Sequence, residues 1–285
     1  MFNQARMEKS AAVGASSSGL IVPTSLERRV DEIAGFHPNH IRAATLGENM
    51  PQMSRLIDAV IFDLDGTLVD SQPAVLKATK EALARFDIIA SDDEVRERFG
   101  GGSRNIMSFF LVRDLGEAKS SEHIDLAVEV KNTLQTEYST EVGLLPGVEQ
   151  LLSELKRDRF RIAIATMGAG SVARRVLSHN RIDSYFEEVL TADDVADPKP
   201  DPEILVKTAQ RLKVDASRSL YVGDSTHDLE AATAAGMPFV LADTGLFVDG
   251  RRRIDLREKA RSLDYPVVAT DEIGSIAGIA KSYPA

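Results

Sequence analysis

Apolar and polar residues alternate along this chain in two rhythms, one typical of buried strands and the other of helices. Short apolar runs predict strands at 57–62, 161–166, 187–191, 219–224, 239–241 and 266–268. Apolar residues at helical spacing predict helices at 73–86, 147–157, 170–180, 202–212 and 226–235. Strands that alternate with helices indicate βαβ units. We therefore expect an α/β fold with a mostly parallel sheet and helices on both faces.

A long helical block interrupts this alternation after the first strand. Residues 91–140 are largely helical in pattern and are broken by glycines at 100–102. We interpret 72–143 as an inserted α-helical cap domain, with the catalytic core formed by 56–71 and 144–285. Short linkers at both ends of such a cap would let it close over a ligand as a lid.

The first 55 residues differ in composition from the rest. The run 10–19 is small and polar and has too little apolar surface to order itself. We expect a flexible leader over 1–55, with one short helix that starts at Ser25. Its acidic residues make organelle targeting by 1–50 a weak alternative to a cytoplasmic location, and it lacks the apolar core of a secretory signal.

Composition excludes several classes of function. Asp and Glu number 44 against 34 Lys and Arg, and the formal charge of −10 argues against a nucleic-acid or anionic-membrane partner. The chain has no cysteine, which excludes disulfides and thiolate chemistry. No apolar run approaches the ~20 residues that a membrane span requires.

Two aspartates directly follow the first predicted strand. Residues 59–70 read AVIFDLDGTLVD, so the apolar run stops at Asp63 and Asp65. Two carboxylates at the end of a buried strand are costly unless a cation neutralises them. Mg²⁺ takes oxygen ligands from one or two carboxylates and leaves positions open for phosphate. Taken alone, this motif fits an acidic turn without function almost equally well.

Polar residues also end two later strands. Thr166 ends the strand at 161–166, and Asp224 ends the strand at 219–224, with Asp228 one helical turn later. Lys199 lies between them in a loop that its prolines stiffen. Ligands of open parallel sheets bind outside the carboxyl ends of the strands, so we expect these side chains to converge there, with Asp228 holding Lys199 or a metal-bound water.

These residue types suit phosphoryl transfer. Asp63 can act as a nucleophile that forms an aspartyl-phosphate. Asp65 can protonate the leaving oxygen and then take a proton from the attacking water. Thr166 and Lys199 can bind the phosphoryl oxygens, and Asp224 can complete a Mg²⁺ site.

In four ordered motifs the chain resembles the haloacid dehalogenase-like hydrolases. The motifs are 63–67, the strand-end Thr166, the segment 199–202 and the segment 223–228, and the similarity covers roughly 57–280. It is strongest to the helical-capped, phosphoglycolate phosphatase-like members. The resemblance implies a Rossmann-like core with a helical cap.

The resemblance also implies particular roles for site residues. The Asp63 carboxylate, the Asp65 backbone carbonyl and Asp224 are expected to hold Mg²⁺, with Asp228 and Ser225 supporting them. The aspartate at position 65 favours phosphate chemistry, because dehalogenase members lack it.

Two further residues are expected to bind substrate. Many relatives have an asparagine where this chain has Met167, so only the backbone N–H at that position is expected to meet phosphate. Arg104, in a glycine-rich segment of the predicted cap, is our candidate for substrate specificity. A surface arginine without function explains Arg104 equally well.

Other readings stay open beside the phosphatase. Sugar-phosphate mutases of the β-phosphoglucomutase type keep both aspartates, and a non-catalytic, phosphate-binding regulatory member is a third alternative. Phosphonate-cleaving relatives need a lysine in the cap that forms a Schiff base. Four lysines are candidates by position, and we expect them on solvated helix faces: Lys77, Lys80, Lys119 and Lys131.

The sequence thus predicts a Mg²⁺-dependent phosphatase that acts on a small phosphomonoester, of the phosphoglycolate or sugar phosphate type. A small phosphorylated metabolite is its expected partner, with neither nucleic acid nor membrane. We expect a monomer or homodimer. The basic run 251–253 is expected to be a solvated loop.

Overall fold

The computed structural model describes residues 56–99 and 101–283. The predictions for 1–55 lie outside these residues. Among the described helices, none is both long and apolar enough to cross a bilayer.

Six parallel strands form the main sheet, in the order β5-β4-β1-β6-β7-β8. A separate antiparallel pair joins β2 to β3, with Val69 opposite Leu144. The strands are β1 (Ala59–Phe62), β2 (Val69–Asp70), β3 (Gly143–Leu144), β4 (Arg161–Ala165), β5 (Glu188–Leu190), β6 (Ser219–Gly223), β7 (Phe239–Asp243) and β8 (Val267–Ala269).

Ten α-helices connect or flank these strands in the described part of the chain. They are α1 (Gln72–Ala84), α2 (Asp92–Arg96), α3 (Gly102–Leu115), α4 (Glu117–Tyr138), α5 (Val148–Arg157), α6 (Gly170–His179), α7 (Glu203–Leu212), α8 (Thr226–Ala235), α9 (Gly250–Ser262) and α10 (Ile276–Ser282).

Alternate residues of the buried strands pack on opposite faces of the sheet. Val60 and Phe62 of β1 belong to one apolar cluster with residues of α5, α6 and α10. Ala59 and Ile61 belong to a second cluster with residues of α7, α8 and α9. Because successive side chains of a strand point to opposite faces, this division shows that helices cover both faces. The predicted α/β fold with a Rossmann-like parallel sheet is confirmed.

Helices α1–α4 lie between β2 and β3 in sequence and have an apolar cluster of their own. Its members include Val75, Val95, Phe110 and Ala127, and Phe247 of the core packs against it. We call these four helices the cap. The chain enters the cap after β2 and leaves it before β3, so the paired strands join cap and core. The exact domain boundaries stay predictions.

The structure corrects the interpretation of residues 251–253. They lie in the first turns of α9 and not in a loop. Only Leu256 and Ala260 of this helix are buried, so its apolar periodicity is too weak to reveal it. Arg253 binds the buried Asp243 of β7 through Nε, at 2.6 Å from Oδ1. The charge therefore attaches the helix to the sheet instead of facing solvent alone.

Candidate active site

The ends of three neighbouring strands bring the predicted polar residues together. Asp63 follows β1 at the centre of the sheet, and its backbone N–H donates to the carbonyl of Val222 at 2.9 Å. Thr166 follows β4 on one side, and Asp224 follows β6 on the other. All three side chains line one cavity. Asp65, Met167, Lys199, Ser225 and Asp228 line it too.

Lys199 joins two of the carboxylates. Its Nζ lies 2.9 Å from Asp63 Oδ1 and 2.9 Å from Asp228 Oδ1, and it also donates to the carbonyl of Ala165 at 2.7 Å. The residue is only 3% exposed. Burial lowers the pKa of Lys199, but Asp228 and Asp63 more than compensate and raise it above its usual value. Lys199 is therefore a permanently charged group beside Asp63.

Tyr221 completes this network, and the sequence did not indicate it. Its hydroxyl accepts a hydrogen bond from Lys199 Nζ at 2.5 Å and donates to Asp228 Oδ1 at 2.7 Å. The side chain is fully buried in β6. A tyrosine inside an apolar strand carries no signal beyond packing, so only the fold reveals the contact.

Ser225 and Asp228 are linked by the start of α8. Ser225 is the N-cap residue: its side chain accepts from the Asp228 backbone N–H at 3.3 Å, and its own backbone N–H donates to Asp228 Oδ2 at 3.0 Å, which makes a capping box. Asp228 thus binds the helix terminus through one oxygen and Lys199 through the other. It is a positioning residue for Lys199.

Asp65 has hydrogen-bond donors on both sides. Ser71, which follows β2, donates to Asp65 Oδ1 at 2.5 Å. Burial raises the pKa of Asp65, while the hydrogen bonds of Ser71 and Thr166 and the charges of Lys131 and Lys199 lower it in part. A raised pKa favours the protonated form that a general acid requires.

Asp224 has the chemistry of a metal ligand. Its Oδ2 is buried and has no hydrogen-bond partner. Burial raises the pKa of Asp224 well above its usual value, and burial likewise raises the pKa of Asp63 to about 7 although Lys199 opposes this. Carboxylate oxygens of Asp63, Asp224 and Asp228 lie within 4.8 Å of one another. A divalent cation would relieve both the unpartnered oxygen and the mutual repulsion, so these residues fit Mg²⁺.

Gly66 leaves the space that this arrangement needs. Its φ of +80° suits glycine, and a Cβ at this position would lie 2.4 Å from Asp224 Oδ2 and 2.5 Å from the Phe247 ring. The glycine after the two aspartates therefore lets Asp224 and Phe247 approach the β1 turn.

The cap supplies one wall of the cavity. Val75, Phe99, Ser103, Lys131 and Gln135 line it opposite the strand ends. The cavity volume is about 70 Å³.

The expectation for one cap lysine was wrong. Lys77, Lys80 and Lys119 are exposed, but Lys131 is only 2% exposed and lies inside the cavity lining. The buried residues of α4 recur at helical spacing through Ala127, Lys131 and Gln135, and that spacing was the signal available in the sequence.

Arg104 lies elsewhere. Its guanidinium is paired with Asp125 at 2.5 Å, its side chain is 63% exposed, and it does not line the cavity. Met167 does line it, and the Met167 carbonyl lies 3.1 Å from where a Cβ on Gly102 would be. The cap therefore contacts the loop after β4 through the glycine-rich segment, while Arg104 lies outside the cavity lining.

The chain is similar to known hydrolases over most of these elements. Residues 60–242 match the family described as haloacid dehalogenase-like hydrolase. The chain is 34% identical over 201 residues to the plasmid phosphoglycolate phosphatase of Cupriavidus necator, which covers 69% of this chain and 85% of that protein. It is also 34% identical over 191 residues to a phosphoglycolate phosphatase of Rhodobacter capsulatus, covering 66% and 84%.

Solved structures share the fold. CbbY from Rhodobacter sphaeroides, in complex with phosphate, aligns with a TM-score of 0.65 at 22% identity, over 77% of this chain and 96% of that one. A β-phosphoglucomutase from Clostridium difficile aligns with a TM-score of 0.61 at 22% identity, over 73% and 99%.

Proposed function

The chain belongs to the haloacid dehalogenase-like hydrolase family, and on that premise we propose that it is a Mg²⁺-dependent phosphatase that hydrolyses a small phosphomonoester through an aspartyl-phosphate on Asp63. The observation that carries the proposal is the placement of Asp63 between a buried cation, Lys199, and the unpartnered oxygen of Asp224. This is the environment of a carboxylate that must attack an anionic group.

Asp63 attacks phosphorus in the first step. A bond forms between its carboxylate oxygen and phosphorus, and the bond from phosphorus to the ester oxygen breaks. The Lys199 ammonium group donates a hydrogen bond to Asp63 Oδ1. Its charge favours the ionised carboxylate and lowers the repulsion between that carboxylate and the substrate phosphate.

Asp65 transfers the protons of both steps. It donates its proton to the departing ester oxygen, which leaves as an alcohol. It then takes a proton from the water that attacks phosphorus, and this attack releases inorganic phosphate and restores Asp63. Ser71 orients the carboxyl group through Oδ1.

Charge on the transferred group is stabilised by fixed donors. The Thr166 hydroxyl, the Lys199 ammonium and the Met167 backbone N–H are the candidates from this chain. Mg²⁺, held by the Asp63 and Asp224 carboxylates and the Asp65 backbone carbonyl, would neutralise phosphoryl charge. Asp228 already binds Lys199, Tyr221 and Ser225, so we assign it a supporting role.

Phosphoglycolate or a sugar phosphate is the proposed substrate type, supported by the names of relatives that are 34% identical. A β-phosphoglucomutase-type mutase is the second candidate, favoured by the shared fold with such an enzyme. Binding of phosphate without turnover is the third. The cytoplasmic location and the monomeric or homodimeric state remain predictions.

The test is phosphate release from a panel of small phosphomonoesters, with Mg²⁺ or with a chelator. We expect metal-dependent release that disappears in the Asp63→Asn variant, whose folding is checked by circular dichroism. Conversion of glucose 1-phosphate to the 6-phosphate with a bisphosphate primer would instead show a mutase. Binding of phosphate without release from any ester would support the regulatory alternative.

A further inference from the structure

Lys131 of α4 is a buried cation that forms no direct ion pair among the described residues. Its Nζ donates to Ser103 Oγ at 3.0 Å and to Gln135 Oε1 at 2.6 Å, and both acceptors are neutral. Ser103 in turn donates to Asn132 Oδ1 at 2.7 Å. An ammonium group has three N–H donors, so one remains for a further acceptor. Burying a charge without a direct ion pair is costly, so an anionic group of a ligand would stabilise Lys131 here.

This cation interacts electrostatically with one of the catalytic carboxylates, Asp65. Lys131 and Asp65 line the same cavity, and the Asp65 charge raises the pKa of Lys131 while burial lowers it to about 8. The side chain is therefore charged at neutral pH. A phosphoryl group at Asp63 and Lys199 would occupy the same cavity as the Lys131 ammonium group.

The remaining walls of the cavity narrow the kind of ligand. Four apolar side chains are among the lining residues, namely Val75, Phe99, Ile106 and Phe247. Any hydroxyl group that a sugar placed against these four side chains would lack a hydrogen-bond partner there, which is unfavourable. A short carbon chain that ends in one carboxylate matches both these apolar side chains and the Lys131 ammonium group.

We propose that Lys131, held by Ser103 and Gln135, binds a carboxylate on the leaving group, so that the substrate is the phosphate ester of a small hydroxy acid. This inference rests on the phosphatase function proposed above. Lys131 determines specificity and takes no part in the transfer of the phosphoryl group.

The experiment compares two esters that differ only in charge, 2-phosphoglycolate and its primary amide. In Lys131→Met, kcat/KM for 2-phosphoglycolate should fall about 10- to 100-fold, mainly through KM, as expected for loss of a hydrogen bond to a charged group. In the same variant, kcat/KM for the amide should change less than threefold. Lys119→Met, on the exposed side of the same helix, is the matched control and should leave kcat/KM for both esters unchanged.

Three results would overturn the assignment. Equal losses for both esters would place Lys131 at the phosphoryl end. No loss for either would mean that Lys131 does not touch substrate. A wild-type preference for the amide, or for ethylene glycol bisphosphate, would exclude a carboxylate as its ligand.

Failure of the phosphatase proposal would look different, because the wild type would then release phosphate from none of these esters. Calorimetric titration of 2-phosphoglycolate into wild type and Lys131→Met would still test whether Lys131 binds the carboxylate. A dissociation constant at least tenfold weaker in the variant supports the carboxylate site, and equal constants contradict it.

Discussion

Lys199 bears on stability and, in the proposed reaction, on catalysis. It neutralises Asp63 and Asp228 in a buried network, beside the carboxylate that we propose as the nucleophile. Removing one partner of a buried ion pair leaves the other charges uncompensated, which typically costs about 3–5 kcal/mol. The same loss removes a transition-state donor.

Replacement of Lys199 by methionine should therefore lower both the stability of the protein and its kcat. We expect the free energy of unfolding to fall by about 3–5 kcal/mol, and kcat to fall well beyond tenfold at a temperature where the variant is folded. Lys207→Met is the control, because Lys207 forms an exposed ion pair with Glu203 whose loss costs less than about 1 kcal/mol. Urea denaturation and steady-state kinetics measure both effects, and an unchanged kcat would remove Lys199 from the site.

Single residues show what the sequence can reveal about a site. Asp63 and Asp224 follow directly from strand ends, because the edge of a parallel sheet gathers them. The sequence does not indicate that Ser71 and Tyr221 belong to the site, because a serine in a linker and a tyrosine in a strand have ordinary structural explanations. Arg104 was favoured for its charge and its glycine-rich setting, yet only the cap's packing decides which side chain faces the cavity.

Among the elements, the turn after β1 constrains the site most tightly. Gly66 has a positive φ, and any Cβ there collides with Asp224 Oδ2 and Phe247. Gly66→Ala should displace Asp224 and raise the Mg²⁺ concentration for half-maximal activity about 10- to 100-fold, a typical loss when a ligand's surroundings are disturbed.

Gly143→Ala is the matched control for this substitution. A Cβ on Gly143, in β3, meets nothing within 4 Å, so its Mg²⁺ requirement should equal that of the wild type. A Gly66→Ala enzyme with an unaltered Mg²⁺ titration would show that Asp224 is not held by this turn.

Elements with strong apolar periodicity were predictable, and those that rest on charge were not. Strand β1 is apolar throughout, and helices α5 and α7 each have one apolar face, so their sequence patterns predict them. Helix α9 is attached largely through the arginine pair with Asp243, where burial tends to raise the pKa but Arg253 and Arg257 lower it below its usual value. Such a contact depends on tertiary proximity, which residue spacing does not encode.

At the scale of the whole molecule, the buried Lys131 links stability to pH. Burial lowers its pKa from 10.5 to about 8, against the opposing charge of Asp65. Below pH 8 the lysine is charged in both folded and unfolded states, and the folded state bears the full cost of burying the charge. Between about pH 8 and 10.5 only the unfolded state stays protonated, so the folded state gains stability as pH rises.

The comparison of wild type with Lys131→Gln isolates this contribution, because the other titrating groups are common to both proteins. The free energy of unfolding of the wild type, relative to the variant, should rise by on the order of 2 kcal/mol between pH 7.5 and pH 9.5. Urea denaturation at the two pH values measures it. A difference that stays constant with pH would mean that Lys131 keeps an ordinary pKa. Its ammonium group would then be hydrated in the cavity.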